Sequence, residues 1–108
     1  MADKGSELLE LKRMGAAPVK NSGRGLQKGD GTWGEFLVDV KEYSKSFSIS
    51  RAVWAKISTD AVKNGNRQPL LALVLGEPGV PPLRVFVVGE SMFHDMKQAW
   101  EEKNEIQN

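Results

Sequence analysis

At 108 residues, with 40% hydrophobic and 27% charged side chains, the chain is long enough for one hydrophobic core and too short for two. A formal charge of +1 excludes the overall basic bias that marks many nucleic-acid binders, so any affinity for DNA has to come from local patches. The absence of cysteine excludes disulfides and thiolate metal sites, and a single histidine, His94, leaves no histidine-based metal cluster or Ser/His triad within one chain.

A first helix is expected from about Ser6 to Met14, with Leu8, Leu11 and Met14 as its apolar stripe and Gly15 as its stop. "APVK" reads as a short strand. "NSGRGLQKGDGTWGE", with five glycines between Gly23 and Gly34, reads as a loop and a tight turn into the next strand. From Glu35 to Tyr43 the pattern alternates, with Phe36, Val38 and Val40 on one face and Leu37, Asp39 and Lys41 on the other. "SKSFSIS" leads into a helix from about Arg51 to Asn64, with Ser50 as N-cap and Val53, Trp54, Ile57 and Ala61 spaced to face a sheet.

"PLLALVLG" suits a strand buried on both faces, "EPGVPP" a turn, and "LRVFVVG" a second buried strand closing a hairpin. A last helix starts near Ser91 and carries Met92, Phe93, Met96 and Trp100, with His94 on its polar surface. Residues 1–5 and 101–108 are expected to be flexible. The order predicts a single domain of the α/β (α+β) class, a small mixed sheet flanked by helices. No apolar run approaches the length of a membrane span and the N-terminus lacks a signal-peptide core, so a cytoplasmic protein is expected.

An acid two residues before a lysine occurs four times: Glu10/Lys12, Asp39/Lys41, Asp95/Lys97 and Glu101/Lys103. Residues i and i+2 share a face on a strand but not on a helix, so only Asp39 and Lys41, in the alternating run, can act together. Read by itself, that run is also compatible with an edge strand whose polar face is solvated. Asp30 precedes a glycine-rich turn, and a hairpin over residues 28–41 would return Asp39 to its neighbourhood. Two carboxylates and a lysine in one place suit Mg²⁺ and a phosphate: the carboxylates are hard oxygen ligands, and the lysine can orient water or stabilise the transition state.

Asp30, followed by Asp39-Val40-Lys41 on the next strand after a glutamate-bearing helix, resembles the PD-(D/E)xK nuclease superfamily. The wider wording, "SGRGLQKGD", "FLVDVKEYSKSFSIS", Trp54, Lys56-Ile57, Ala61 and Asn66-Arg67-Gln68-Pro69, is similar to small phage-encoded relatives of the archaeal-type Holliday junction resolvases. The resemblance covers roughly residues 6–93. It implies a restriction-endonuclease-like core and Mg²⁺-dependent cleavage of branched DNA, with Mn²⁺ able to substitute. It also implies a homodimer that places two active sites on opposite strands of a junction. Asp30, Asp39 and Lys41 take the motif positions, and the Val40 carbonyl would also face the metal. The helix-borne acid falls on Glu7, which has Leu11 and Met14 at helical spacing, in preference to Glu10, which has Arg13. Two departures are Gly29, where the family has proline, and Asp39, the shorter of the two permitted acids.

The loop "KNSGRGLQK" and the segment "YSKSFSIS" offer small residues, hydroxyls and interspersed cations. Lys20, Asn21, Ser22, Arg24, Lys28, Lys45, Ser46 and Ser48 are therefore the expected DNA contacts, of the phosphate-binding kind that positions a duplex without reading its sequence. The basic residues support this locally: Lys41 to Arg67 holds six of them against Glu42 and Asp60, whereas Glu90 to Asn108 holds two against five acids. Trp33 is either a turn residue packed on the sheet or a platform for an unpaired base; Trp54 and Trp100 are core anchors or dimer contacts. The leading expectation is a structure-selective endonuclease. The alternatives are a PD-(D/E)xK nuclease of repair or restriction type, or an inactive DNA-binding module on the same fold.

Overall fold

A computed structural model describes the backbone of residues 4–21 and 25–107 and the side chains of residues 6–19 and 31–105. The elements in chain order are α1 (Lys4–Met14), β1 (Ala17–Asn21), β2 (Gly25–Trp33), β3 (Phe36–Tyr43), α2 (Arg51–Lys63), β4 (Gln68–Leu75), β5 (Leu83–Val88) and α3 (Glu90–Gln107). The strands form one sheet in the order β1-β2-β3-β4-β5. Neighbours are antiparallel except β3 and β4, which run parallel from Phe36↔Gln68 to Tyr43↔Leu75. A parallel pair needs a crossover, and α2 supplies it.

α1 stops where expected. Gly15 adopts φ +92°, and the amides of Gly15 and Ala16 both turn back to the Leu11 carbonyl, at 3.1 and 2.9 Å. A residue with a Cβ would be strained there. Ser50 caps α2, its Oγ accepting from the Val53 amide at 3.1 Å. Strand alternation then divides the core between the two faces of the sheet. Val38, Val40, Leu70 and Ala72 pack under Leu11 of α1, while Leu37 and Leu71 are buried on the other face, which α2 covers with Ile57 and Ala61. Full burial of each such aliphatic side chain is worth about 1.5–3 kcal/mol, so the β3–β4 centre dominates the stability.

Two sequence expectations are corrected. The glycine-rich stretch is not a loop: residues 25–33 form β2, because pairing with β1 on one side and with β3 on the other satisfies a backbone that has little strand propensity of its own. β5 is not buried. It is an edge strand that neither α1 nor α2 covers, with Leu83 57% and Phe86 51% exposed. Residues 101–107 continue α3, and among the described residues α3 has no extensive packing contact with any other element.

Gly31 is the position in β2 where glycine is required by space. A Cβ there would lie 2.7 Å from Leu11 Cδ2 and 3.0 Å from the Ala17 carbonyl oxygen. Gly31→Ala should therefore push α1 off the sheet and cost about 1–3 kcal/mol, read as a lower urea midpoint with unchanged slope.

Candidate functional site

β2 and β3 are paired from Trp33↔Phe36 to Asp30↔Asp39. Beyond that point β2 is paired with β1, at Lys20↔Leu26 and Asn21↔Gly25, and not with β3. The two strands fork at Asp30 and Asp39. Val40 is the first residue of β3 past the fork, and among the described residues its main chain is paired with Ala72 of β4 but with no residue of β2.

At this fork Asp39 and Lys41 share the α2 face of the sheet, with Lys41 Nζ 3.2 Å from Asp39 Oδ1. Asp39 is only 8% exposed, while the Lys41 side chain is 33% exposed and reaches solvent. The contact is an ion pair without hydrogen-bond alignment: Oδ1 is buried and accepts no hydrogen bond among the described residues. Burial raises the Asp39 carboxyl above its ordinary value, because a carboxylate loses hydration there. Lys41 and, less strongly, Lys56 pull it back down, and the like charge of Asp60 pushes it up. A buried acceptor beside a half-exposed ammonium is poorly served by the protein alone, which is the condition a cation or phosphate ligand would relieve.

Asp30 stands directly opposite Asp39 by backbone register, so the two positions lie on one face, as the hairpin expectation required. Of Lys20, Asn21, Lys28 and Asp30 the structure describes the backbone alone, and Ser22 and Arg24 lie outside the described residues. Lys45, Ser46 and Ser48 are exposed on the segment joining β3 to α2. That segment is anchored by Phe47, whose ring packs on Tyr43 at 5.0 Å between centroids. Tyr43 shares the face of Asp39 and Lys41, so the anchored loop runs beside the pair.

α1 lies on the other face. Its Glu10 is buried and held in a two-pronged clasp by Arg84 of β5, with Nε to Oε1 at 3.1 Å and Nη2 to Oε2 at 3.0 Å. Ser6 donates to Glu42 Oε2 at 3.1 Å on the same side, and Glu7 is half-buried on this helix. The sheet thus stands between α1 and the Asp39–Lys41 pair. The expectation that Glu7 approaches that pair finds no support in this layering, and Glu10 is committed elsewhere. Trp33 packs edge-on against Phe86, with centroids 5.6 Å apart, as a sheet-packing residue.

The sequence reading gave two charged residues of α2 no role in the site. Lys56 and Asp60 are joined at 2.8 Å, and both act on the Asp39 carboxyl. The available signal was that Asp60 falls on the same helical stripe as Ile57, Ala61 and Asn64, which faces the sheet.

No family model matches the chain, and no curated protein matches it. Among the described residues no group of three acidic or histidine side chains is arranged to hold a metal ion, and no helix is long and apolar enough to cross a membrane. A metal site here therefore needs Asp30 in addition to Asp39. Asp39 itself fits such a role, having a buried oxygen that lacks a hydrogen bond.

The raised pKa of Asp39 has a signed consequence. Its folded-state value lies above the unfolded value of 3.8, so between the two the native state binds more protons and stability falls as pH rises. Asp39→Asn removes that penalty. The variant should melt at a higher temperature than the wild type at pH 7, and the difference should shrink as pH is lowered below 4, as measured by circular dichroism melts across pH 3–8.

Proposed function

We propose that the chain is a metal-dependent, structure-selective DNA endonuclease of the PD-(D/E)xK kind, acting on Holliday junctions or other branched DNA. The observation that carries this reading is the half-desolvated Asp39–Lys41 pair at the fork of β2 and β3, with Asp30 opposite in register. Asp39 and Asp30 would hold Mg²⁺ or Mn²⁺, with the Val40 carbonyl at the unpaired edge as a third donor. When bound, such an ion lowers the pKa of its water and screens charge on the phosphate. Lys41, whose stem is fixed by the sheet while its ammonium reaches solvent, would contact the scissile phosphate and stabilise the developing charge. Lys45, Ser46 and Ser48 on the adjoining loop would hold flanking phosphates, with Lys20, Asn21, Ser22, Arg24 and Lys28 serving the same purpose from the β1–β2 side.

A nuclease of repair or restriction type is the nearest alternative. An inactive DNA-binding module is disfavoured by the retention of Asp30, Asp39 and Lys41 together. We place the protein in a reducing compartment such as the cytoplasm, since it has no cysteine.

The test is cleavage of a synthetic four-way junction beside a linear duplex of the same sequence, with Mg²⁺ and with chelator. Mg²⁺-dependent cleavage confined to the junction is expected. Lys41→Ala should lower the cleavage rate by roughly 10²-fold or more while leaving the native circular dichroism spectrum and the junction affinity near wild type at a temperature where both proteins are folded, because the charge acts in the transition state. Equal cleavage by Lys41→Ala and wild type would return the lysine to a structural role.

A homodimer is part of this proposal and has its own support. Leu83 and Val85 on one face of β5, and Phe93, Met96 and Trp100 of α3, are exposed, Trp100 to 66%, while Phe86 lies on the other face of β5 against Trp33. The acids of α3 lie off this stripe on the helical wheel, so a second copy meets no concentrated like charge. Sedimentation should give a dimer for the wild type and a monomer for the Phe93→Ala/Trp100→Ala double variant.

A further inference from the structure

We infer that β5 is a pairing edge: it joins antiparallel to β5 of a second copy across a two-fold axis, so that two five-stranded sheets become one continuous sheet. The inference rests on the homodimer of the reading above and names the element that makes it. The two edges of the sheet differ in how they are guarded. β1 carries Pro18, which has no amide to donate, and Lys20, and its register with β2 shifts between these two residues. Proline, lysine and an irregular register are devices by which an edge strand avoids other chains. β5 has none of them. Leu83–Val88 keeps an unbroken register with β4, from Leu75↔Leu83 to Leu70↔Val88. Its one charge, Arg84, is turned towards α1 and neutralised by Glu10, through hydrogen bonds of 3.1 and 3.0 Å.

Among the described residues β5 has a strand neighbour on one side alone, and it is exposed on both faces: Leu83 and Val85 on one, Phe86 on the other. A partner packed on one sheet face would cover one of these sets and leave the other wet. A strand added at the edge runs beside both, and it also satisfies the free main-chain amides and carbonyls. A second copy of β5 fits, because a two-fold axis normal to the sheet matches each face with itself. With the axis at Val85, Arg84 stands opposite Phe86 of the second copy; with the axis at Phe86, it stands opposite Val88. Neither register opposes like charges. α3 follows directly through Gly89, so its exposed Phe93 and Trp100 begin at the same margin and extend the seam. At about 150–250 Å² per large aromatic side chain, the exposed parts of Phe86, Phe93 and Trp100 come to on the order of 300 Å². Leu83, Val85, Met96 and the main chain of the strand add to this, towards the roughly 800 Å² per partner of a standard interface.

The experiment is sedimentation of the full chain without DNA or metal, with circular dichroism as the folding control. Val85→Lys brings two ammonium groups together across the axis and should weaken the dimer at least tenfold while keeping the native spectrum. Val62→Lys, at a valine of α2 that is 60% exposed, should leave dimer affinity within twofold of the wild type. The chain has no cysteine, so single-cysteine variants oxidised with glutathione disulfide read the pairing directly. Val85→Cys or Phe86→Cys, whichever lies at the axis, should give a disulfide-linked dimer. Leu83→Cys should not, although Leu83 is the most exposed of the three, because its two copies stand about 13 Å or more apart, four residues along the strand, beyond the reach of a disulfide. A monomeric wild type, or a dimer that Val85→Lys leaves intact, overturns the inference. So does cross-linking that follows exposure, with Leu83→Cys foremost. Should Val85→Lys fail to fold, the cysteine pattern decides alone. A protein that pairs through β5 yet cleaves no junction would remove the nuclease reading and leave this inference standing.

Discussion

The parallel pairing of β3 with β4 is the constraint on which the rest of the molecule depends. Its eight-residue register, from Phe36↔Gln68 to Tyr43↔Leu75, needs α2 as a crossover and fixes which side chains face which helix. Val38 and Val40 go under α1, while Leu37, Asp39 and Lys41 go to the side of α2. A slip of one residue would send Val38 and Val40 to the wrong face and bury the charges in the α1 core, so the same register that fills the core also holds the ion pair in place. Hydrophobic burial, the larger energy, thereby positions a polar site whose own electrostatics would not hold it.

Each face of the sheet carries a buried acid, and the two differ in how well they are satisfied. Glu10 receives two aligned, charge-assisted hydrogen bonds from Arg84 and needs nothing further. Asp39 has one ammonium beside Oδ1 and no hydrogen bond to that oxygen. A satisfied buried pair ties elements together, here α1 to the edge strand β5; an unsatisfied one beside a solvent-reaching lysine is where a ligand has most to offer. This contrast gives a physical basis for assigning structural duty to one face and chemistry to the other.

The fork between β2 and β3 and the bareness of β5 with α3 follow from the same economy of a short chain. α1 packs on β1, β2 and β3 and α2 on β3 and β4, so the β5 margin is the one left without extensive helix packing among the described residues. The divergence of β2 from β3 lies inside the sheet, beside the charged pair. At the β5 margin, aliphatic side chains on one face and Phe86 on the other are exposed.

Local order determined much of what is seen. The alternation of Phe36 to Tyr43 assigned Asp39 and Lys41 to one face, Ser50 marked the start of α2, and Gly15 marked the end of α1; each depends on a few adjacent residues and on fixed backbone periods. Other features were decided only in three dimensions. Gly25–Trp33 became a strand because β1 and β3 flank it, although five glycines in the surrounding stretch argued for a loop. Leu83 to Val88 reads as a buried strand in sequence, yet its burial depends on whether a helix packs over it, and among the described residues none does so extensively. A helix-borne acid was sought on the first helix because sequence spacing carries no information about which side of a sheet a helix will cover. That choice is made by the crossover and by which apolar stripe finds which face, and it puts α1 against Val38 and Val40, on the face opposite Asp39 and Lys41.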